Sequence, residues 1–65
     1  MKYQIETSDR DADEVADIIE SNTYRGIDIE VQTRDGVLFT VTADEIELRD
    51  LEEALDNARV DWHYY

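Results

Sequence analysis

Five carboxylates near the start of the chain have a spacing that calcium chemistry would use. Asp9, Asp11, Asp13, Asp17 and Glu20 match positions 1, 3, 5, 9 and 12 of an EF-hand loop, where oxygen ligands surround a hard cation. The glycine required at position 6 of that loop is Glu14 here, and Met1 to Ser8 is too short and too strand-like to be the incoming helix. A solvated acidic helix face accounts for the same residues, so no metal site is assigned. His63, the one histidine, would need an activated hydroxyl and an orienting carboxylate to support nucleophilic catalysis. Ser8 and Ser21 are better explained by a helix start and a helix end. Acid pairs of the glycosidase kind are uninformative, because among eighteen carboxylates some pair always lies at a suitable separation. The chemistry-bearing residues point to no enzyme and no cofactor.

What these residues do carry is charge. Eighteen Asp and Glu stand against six Lys and Arg, a formal charge of −12 at pH 7. Such a chain repels DNA, RNA and anionic membranes, and attracts basic proteins and cations. At 65 residues and 42% hydrophobic content it can close one core as a single domain, residues 1–65, without room for a deep pocket. The absence of cysteine removes disulfides and thiolate metal sites, so folding rests on packing alone. The apolar runs are short, and Met1-Lys2-Tyr3-Gln4 lacks the basic-then-apolar pattern of a leader, so the cytoplasm is the expected compartment.

The elements that position these acids follow from hydrophobic period. Lys2 to Glu6 alternates with Tyr3 and Ile5 on one face, as a strand does. Ser8 offers an N-cap, and Asp9 and Asp11 fall in the first turn, where the helix dipole favours carboxylates. Ala12, Val15, Ile18 and Ile19 then form one stripe, ended by Asn22 and Gly26, with Asp13, Asp17 and Glu20 on the other side. Gly26 to Thr33 alternates strictly, and Val37, Phe39 and Val41 supply the next strand. A two-residue Asp35-Gly36 loop would put Val31 on the face of Thr40 and mix the two patterns. A three-residue loop, Arg34 to Gly36 with Gly36 left-handed, pairs Val31 with Phe39 and Ile29 with Val41, and is the expected turn. Thr42 and Glu45 have capping-box spacing, which predicts a second helix from about Ala43 to Ala58 on the stripe Leu48, Leu51, Leu55, Ala58. Ile46 falls off that stripe, which leaves open a strand over residues 45–49 and a shorter helix capped by Asp50. Val60, Trp62 and Tyr64 alternate as a last strand.

The order predicts an α+β fold, a small βαββαβ ferredoxin-like sandwich with two helices on one face of a four-stranded antiparallel sheet. The uncovered sheet face should carry Lys2, Gln4, Glu6, Asp28, Glu30, Gln32, Leu38, Thr40, Thr42, Asp61, His63 and Tyr65. That face lacks the stacking aromatics and basic flanks of an RNA-binding sheet. The aromatic tail Trp62 to Tyr65 suits core closure or an interface anchor, so the chain is expected to be a monomer or a weak homodimer.

Alternate strand residues repeat about every 6.6 Å and helix residues four apart rise about 6 Å, so Asp28 with Glu30, and Asp13 with Asp17, make rows of close negative charge. Such rows can imitate a nucleic-acid backbone toward a protein that binds phosphates through Lys and Arg. In size, in composition, in the helix row Asp9, Asp13, Asp17 and Glu20, and in the second-helix acids Asp44, Glu45, Glu47, Glu52, Glu53 and Asp56, the chain resembles small acidic phage-encoded anti-CRISPR proteins of the DNA-mimic kind. The resemblance implies a viral inhibitor that acts in the host cytoplasm. It would occupy the DNA-contacting groove of a CRISPR effector through Asp9, Asp13, Asp17, Glu20, Asp28, Glu30, Glu47, Glu52, Glu53 and Asp56. The spacing alone implies a basic nucleic-acid-binding partner. One Lys against five Arg and ten Asp also fits a small domain of a salt-loving organism, whose acidity is environmental and whose function is open.

Overall fold

The computed structural model describes residues 1–65. Strand β1 (Lys2–Thr7) leads through a 3₁₀ turn at Asp9–Asp11 into helix α1 (Ala12–Asn22). Strands β2 (Ile27–Gln32) and β3 (Val37–Thr42), helix α2 (Glu45–Ala58) and strand β4 (Trp62–Tyr64) follow. The sheet order is β2-β3-β1-β4, with every neighbouring pair antiparallel. β1 and β2 therefore run parallel with β3 between them, and β3 and β4 run parallel around β1, which is the split βαβ plan. The fold is the α+β arrangement expected, and residues 45–49 are helical.

One core holds it together. Ile5, Val37, Phe39 and Val41 of the sheet meet Val15 and Ile19 of α1 and Leu51 and Leu55 of α2, with Ala43 closing the end. The four-residue spacing within each helix puts its two buried side chains one turn apart on the same face. Ile46 is 72% exposed, outside the stripe as its position required.

Three local details differ from the expectations. The capping box of α2 is formed by Asp44 and Glu47, not by Thr42 and Glu45. The Ala43 N–H donates to the Met1 carbonyl, so the chain stays extended to that point and the helix starts two residues later. Thr42 belongs to β3, and its hydroxyl donates to Asp28. Ser8 makes no side-chain cap bond, because the 3₁₀ turn separates it from α1.

The hairpin differs most. The Thr33 N–H donates to the Gly36 carbonyl at 2.8 Å, so Arg34 and Asp35 alone form the loop. Gln32 then pairs with Val37, Val31 with Leu38, Glu30 with Phe39 and Ile29 with Thr40. This register is one residue away from the expected Val31–Phe39 pairing, and a one-residue slip exchanges the two faces of a strand. A bulge between Ile27 and Ile29 shifts the register again and sets Ile27, in place of the expected Ile29, opposite Val41. Gly36 is needed for space and not for a left-handed backbone: a Cβ there would stand 1.9 Å from the Thr7 carbonyl oxygen. Gly26, at φ +71, is the glycine that takes the left-handed conformation.

Candidate functional site

Directly opposed residues of paired strands share a face, so the ladder assigns each side of the sheet. The helix side carries the rows Tyr64–Ile5–Phe39–Glu30 and Trp62–Thr7–Val37–Gln32. The open side carries His63–Glu6–Leu38–Val31 and Gln4–Thr40–Ile29. Glu30 and Gln32 thus leave the open face expected for them, and Ile29 (53% exposed) and Val31 (47% exposed) take their place. Asp28 reaches Thr42 from the bulge, so Asp28 and Glu30 do not form one row. The open face is a mixed surface with an apolar strip of Ile29, Val31 and Leu38.

The ten acids singled out by the sequence divide into two groups. Five are held by structural bonds. Asp9 accepts the Gln32 side-chain amide at 2.7 Å, and Asp28 accepts the Thr42 hydroxyl. Glu47 accepts the backbone N–H groups of Asp44 at 3.2 Å and Tyr24 at 2.5 Å, tying the end of α1 to the start of α2. Glu52 accepts the Tyr64 phenol at 2.6 Å, and Asp56 accepts the Trp62 indole N–H at 3.1 Å. These last two fix β4 against α2 where apolar burial is thin. Burial, with the Glu52 carboxylate next in importance, pushes the Tyr64 phenol above its ordinary range.

The other five, Asp13, Asp17, Glu20, Glu30 and Glu53, are exposed and have no hydrogen-bond or ion-pair partner in the molecule. Asp13, Asp17 and Glu20 follow one another at i, i+4 and i+7 along the outer face of α1, over about 10 Å of rise. Of the six Lys and Arg, only Arg10 lies within 4.0 Å of a carboxylate, Asp11 at 3.6 Å. The chain's own bases leave the α1 row uncompensated. No basic residue occupies the last turn of α1, and Glu20 falls in that turn, although Asn22 and Thr23 donate to the Ile18 and Ile19 carbonyls there. A carboxylate there opposes the helix dipole.

Sequence reasoning missed the role of Asp11. Its carboxylate accepts the Asp61 N–H at 2.8 Å, joining the start of α1 to the turn before β4. That bond, aided by Arg10, holds the carboxyl below the usual carboxylate range against the opposing effect of burial. No local pattern announces a contact fifty residues away. The Asp44 capping box was legible, since Asp44-x-x-Glu47 has the required spacing.

His63 and Glu6 do meet, with Nε2 and Oε1 2.9 Å apart, and the Thr33 hydroxyl donates to the other Glu6 oxygen at 3.3 Å. The carboxylate stands between hydroxyl and imidazole, so the imidazole does not touch the hydroxyl it would have to deprotonate. The EF-hand spacing is laid out on the 3₁₀ turn and α1, not on a loop, and no three His, Asp or Glu side chains gather closely enough to hold a metal ion. The concave features are shallow; the larger, lined by Ser21, Asn22, Thr23, Tyr24, Asp44 and Glu47, lies between the end of α1 and the start of α2. No helix is long and apolar enough to cross a membrane. No protein-family model, curated protein or solved structure matches the chain.

Proposed function

We propose that the protein is an acidic decoy that binds the phosphate-contacting surface of a basic nucleic-acid-binding protein and blocks its access to DNA. The observation that carries this is the α1 row Asp13, Asp17, Glu20: exposed, unpartnered, and ending where the helix dipole disfavours a carboxylate. Acids retained at a position that costs stability are what a charge-presenting surface requires. Glu53, exposed and unpartnered on α2, is a further free carboxylate. The register moves Glu30 off the open sheet face, so the decoy surface is built from the helices and the open sheet face is not part of it. A CRISPR effector is the partner that the resemblance names. A basic groove of any DNA-binding protein meets the same requirement.

One composition feature favours a second reading, in which the acidity serves solubility in concentrated salt: the chain has one Lys against five Arg and ten Asp. Circular dichroism separates the two. At about 0.1 M salt, where the Debye length is ~10 Å, a decoy is folded. It then displaces labelled duplex from a guide-loaded CRISPR effector or from a sequence-independent DNA-wrapping protein. A chain that folds only in molar KCl, or that leaves both complexes intact, contradicts the decoy.

A further inference from the structure

The edge of the sheet formed by β2 is the surface that the acidic helices do not explain. β2 is six residues long and has no neighbour on its outer side, whereas β4 at the opposite edge has three. An open edge presents unpaired backbone N–H and C=O groups, which is the template for strand addition. The two rows of β2 side chains differ in chemistry. Ile29 and Val31 are exposed on the open face beside Leu38. Glu30 is exposed on the helix side, with Asp9 held at the same edge by its bond to Gln32.

Residues of an added antiparallel strand would face these two rows alternately. Complementarity asks for apolar side chains against Ile29 and Val31, and for Lys or Arg against Glu30 and Asp9. A second copy could offer its own Ile29 and Val31 but not the basic residues, because it brings another −12 of charge and its own Glu30 and Asp9 to the edge. We infer that β2 docks an extended segment of a partner in which basic and apolar residues alternate, adding a fifth strand to the sheet. This inference rests on the reading above that the partner is basic, and it adds where and in what conformation one of its segments is held.

The test uses the full chain and an acetylated, amidated (Lys-Val)₄ peptide, with a same-charge peptide in which every Val is Pro as the comparator. Proline keeps the charge but cannot donate to a ladder. In nitrogen–proton NMR, (Lys-Val)₄ is expected to shift residues 27–32, to slow exchange of β2 amides at least tenfold, and to bind at least tenfold more tightly than the Pro peptide. Val31→Lys, at a half-exposed position that keeps the fold, and Glu30→Gln, which preserves size, should each weaken binding several-fold. Equal binding of both peptides with shifts confined to Asp13, Asp17 and Glu20 overturns the edge site while leaving the decoy intact. Shifts of β2 that grow with protein concentration in the absence of peptide also overturn it, since a second copy would then be the occupant. Edge binding without displacement of DNA from a basic partner contradicts the decoy and not the edge site.

Discussion

Glu30 stands directly opposite Phe39 across the β2–β3 ladder, at the outer end of a row that continues through Ile5 to Tyr64. A buried ring and an exposed carboxylate share one side of the sheet because the hairpin closes on Arg34 and Asp35. A charged residue on the inner side of an edge strand also discourages pairing between copies. Glu30→Val is therefore expected to raise the urea midpoint by an amount worth about 0.5 kcal/mol. It should also increase self-association in sedimentation velocity relative to the parent chain.

Gly36 passes so close to β1 that any side chain collides with the Thr7 carbonyl. That contact is backbone and cannot rotate away. Gly36→Ala should cost roughly 2–3 kcal/mol, as overpacked sites do, measured by chemical denaturation.

Asp11 joins the start of α1 to the Asp61 N–H, and this bond favours the carboxylate form. A depressed folded-state pKa adds stability above the unfolded value of about 3.9, and that stability is lost as pH falls through the lower folded value. Asp11→Asn should thus be less stable than the parent at pH 7, with the difference narrowing below about pH 4. Urea titrations across that window check the sign.

Glu20 sets stability against function. Neutralising it removes a carboxylate from the negative end of the α1 dipole, so Glu20→Gln should stabilise the fold by about 0.3–1 kcal/mol at low ionic strength. The same change should weaken displacement of DNA from a basic partner. Paired denaturation and competition measurements would show the two effects moving in opposite directions.

The fold was legible because period speaks for element type. Strict alternation marked β2, the spacing of Val37, Phe39 and Val41 marked β3, and the stripes of Val15 with Ile19 and Leu51 with Leu55 marked two helices over one sheet. The face assignment of β2 was not legible, because Ile27, Ile29 and Val31 alternate with polar residues whichever way the strand faces. The turn at Arg34 and Asp35 and the bulge at Asp28 decide it. Among the acids, type and helix position placed Asp13, Asp17 and Glu20 on an outer face. The bonds of Glu47, Glu52 and Asp56 depend on distant partners, and no local spacing separates them from free carboxylates.

The α1 row is the centre of the functional account, and salt-dependent competition tests it most directly. Displacement of labelled duplex from a basic DNA-binding protein would be followed from 50 mM to 500 mM salt, with the parent chain and with Asp13→Asn/Asp17→Asn/Glu20→Gln. The account predicts displacement that weakens steeply as salt rises, at least tenfold weaker displacement by the triple variant at the lowest salt, and a shallower salt slope for that variant. Equal displacement by the two chains, or none by the parent chain while it is folded at 50 mM salt, would contradict it.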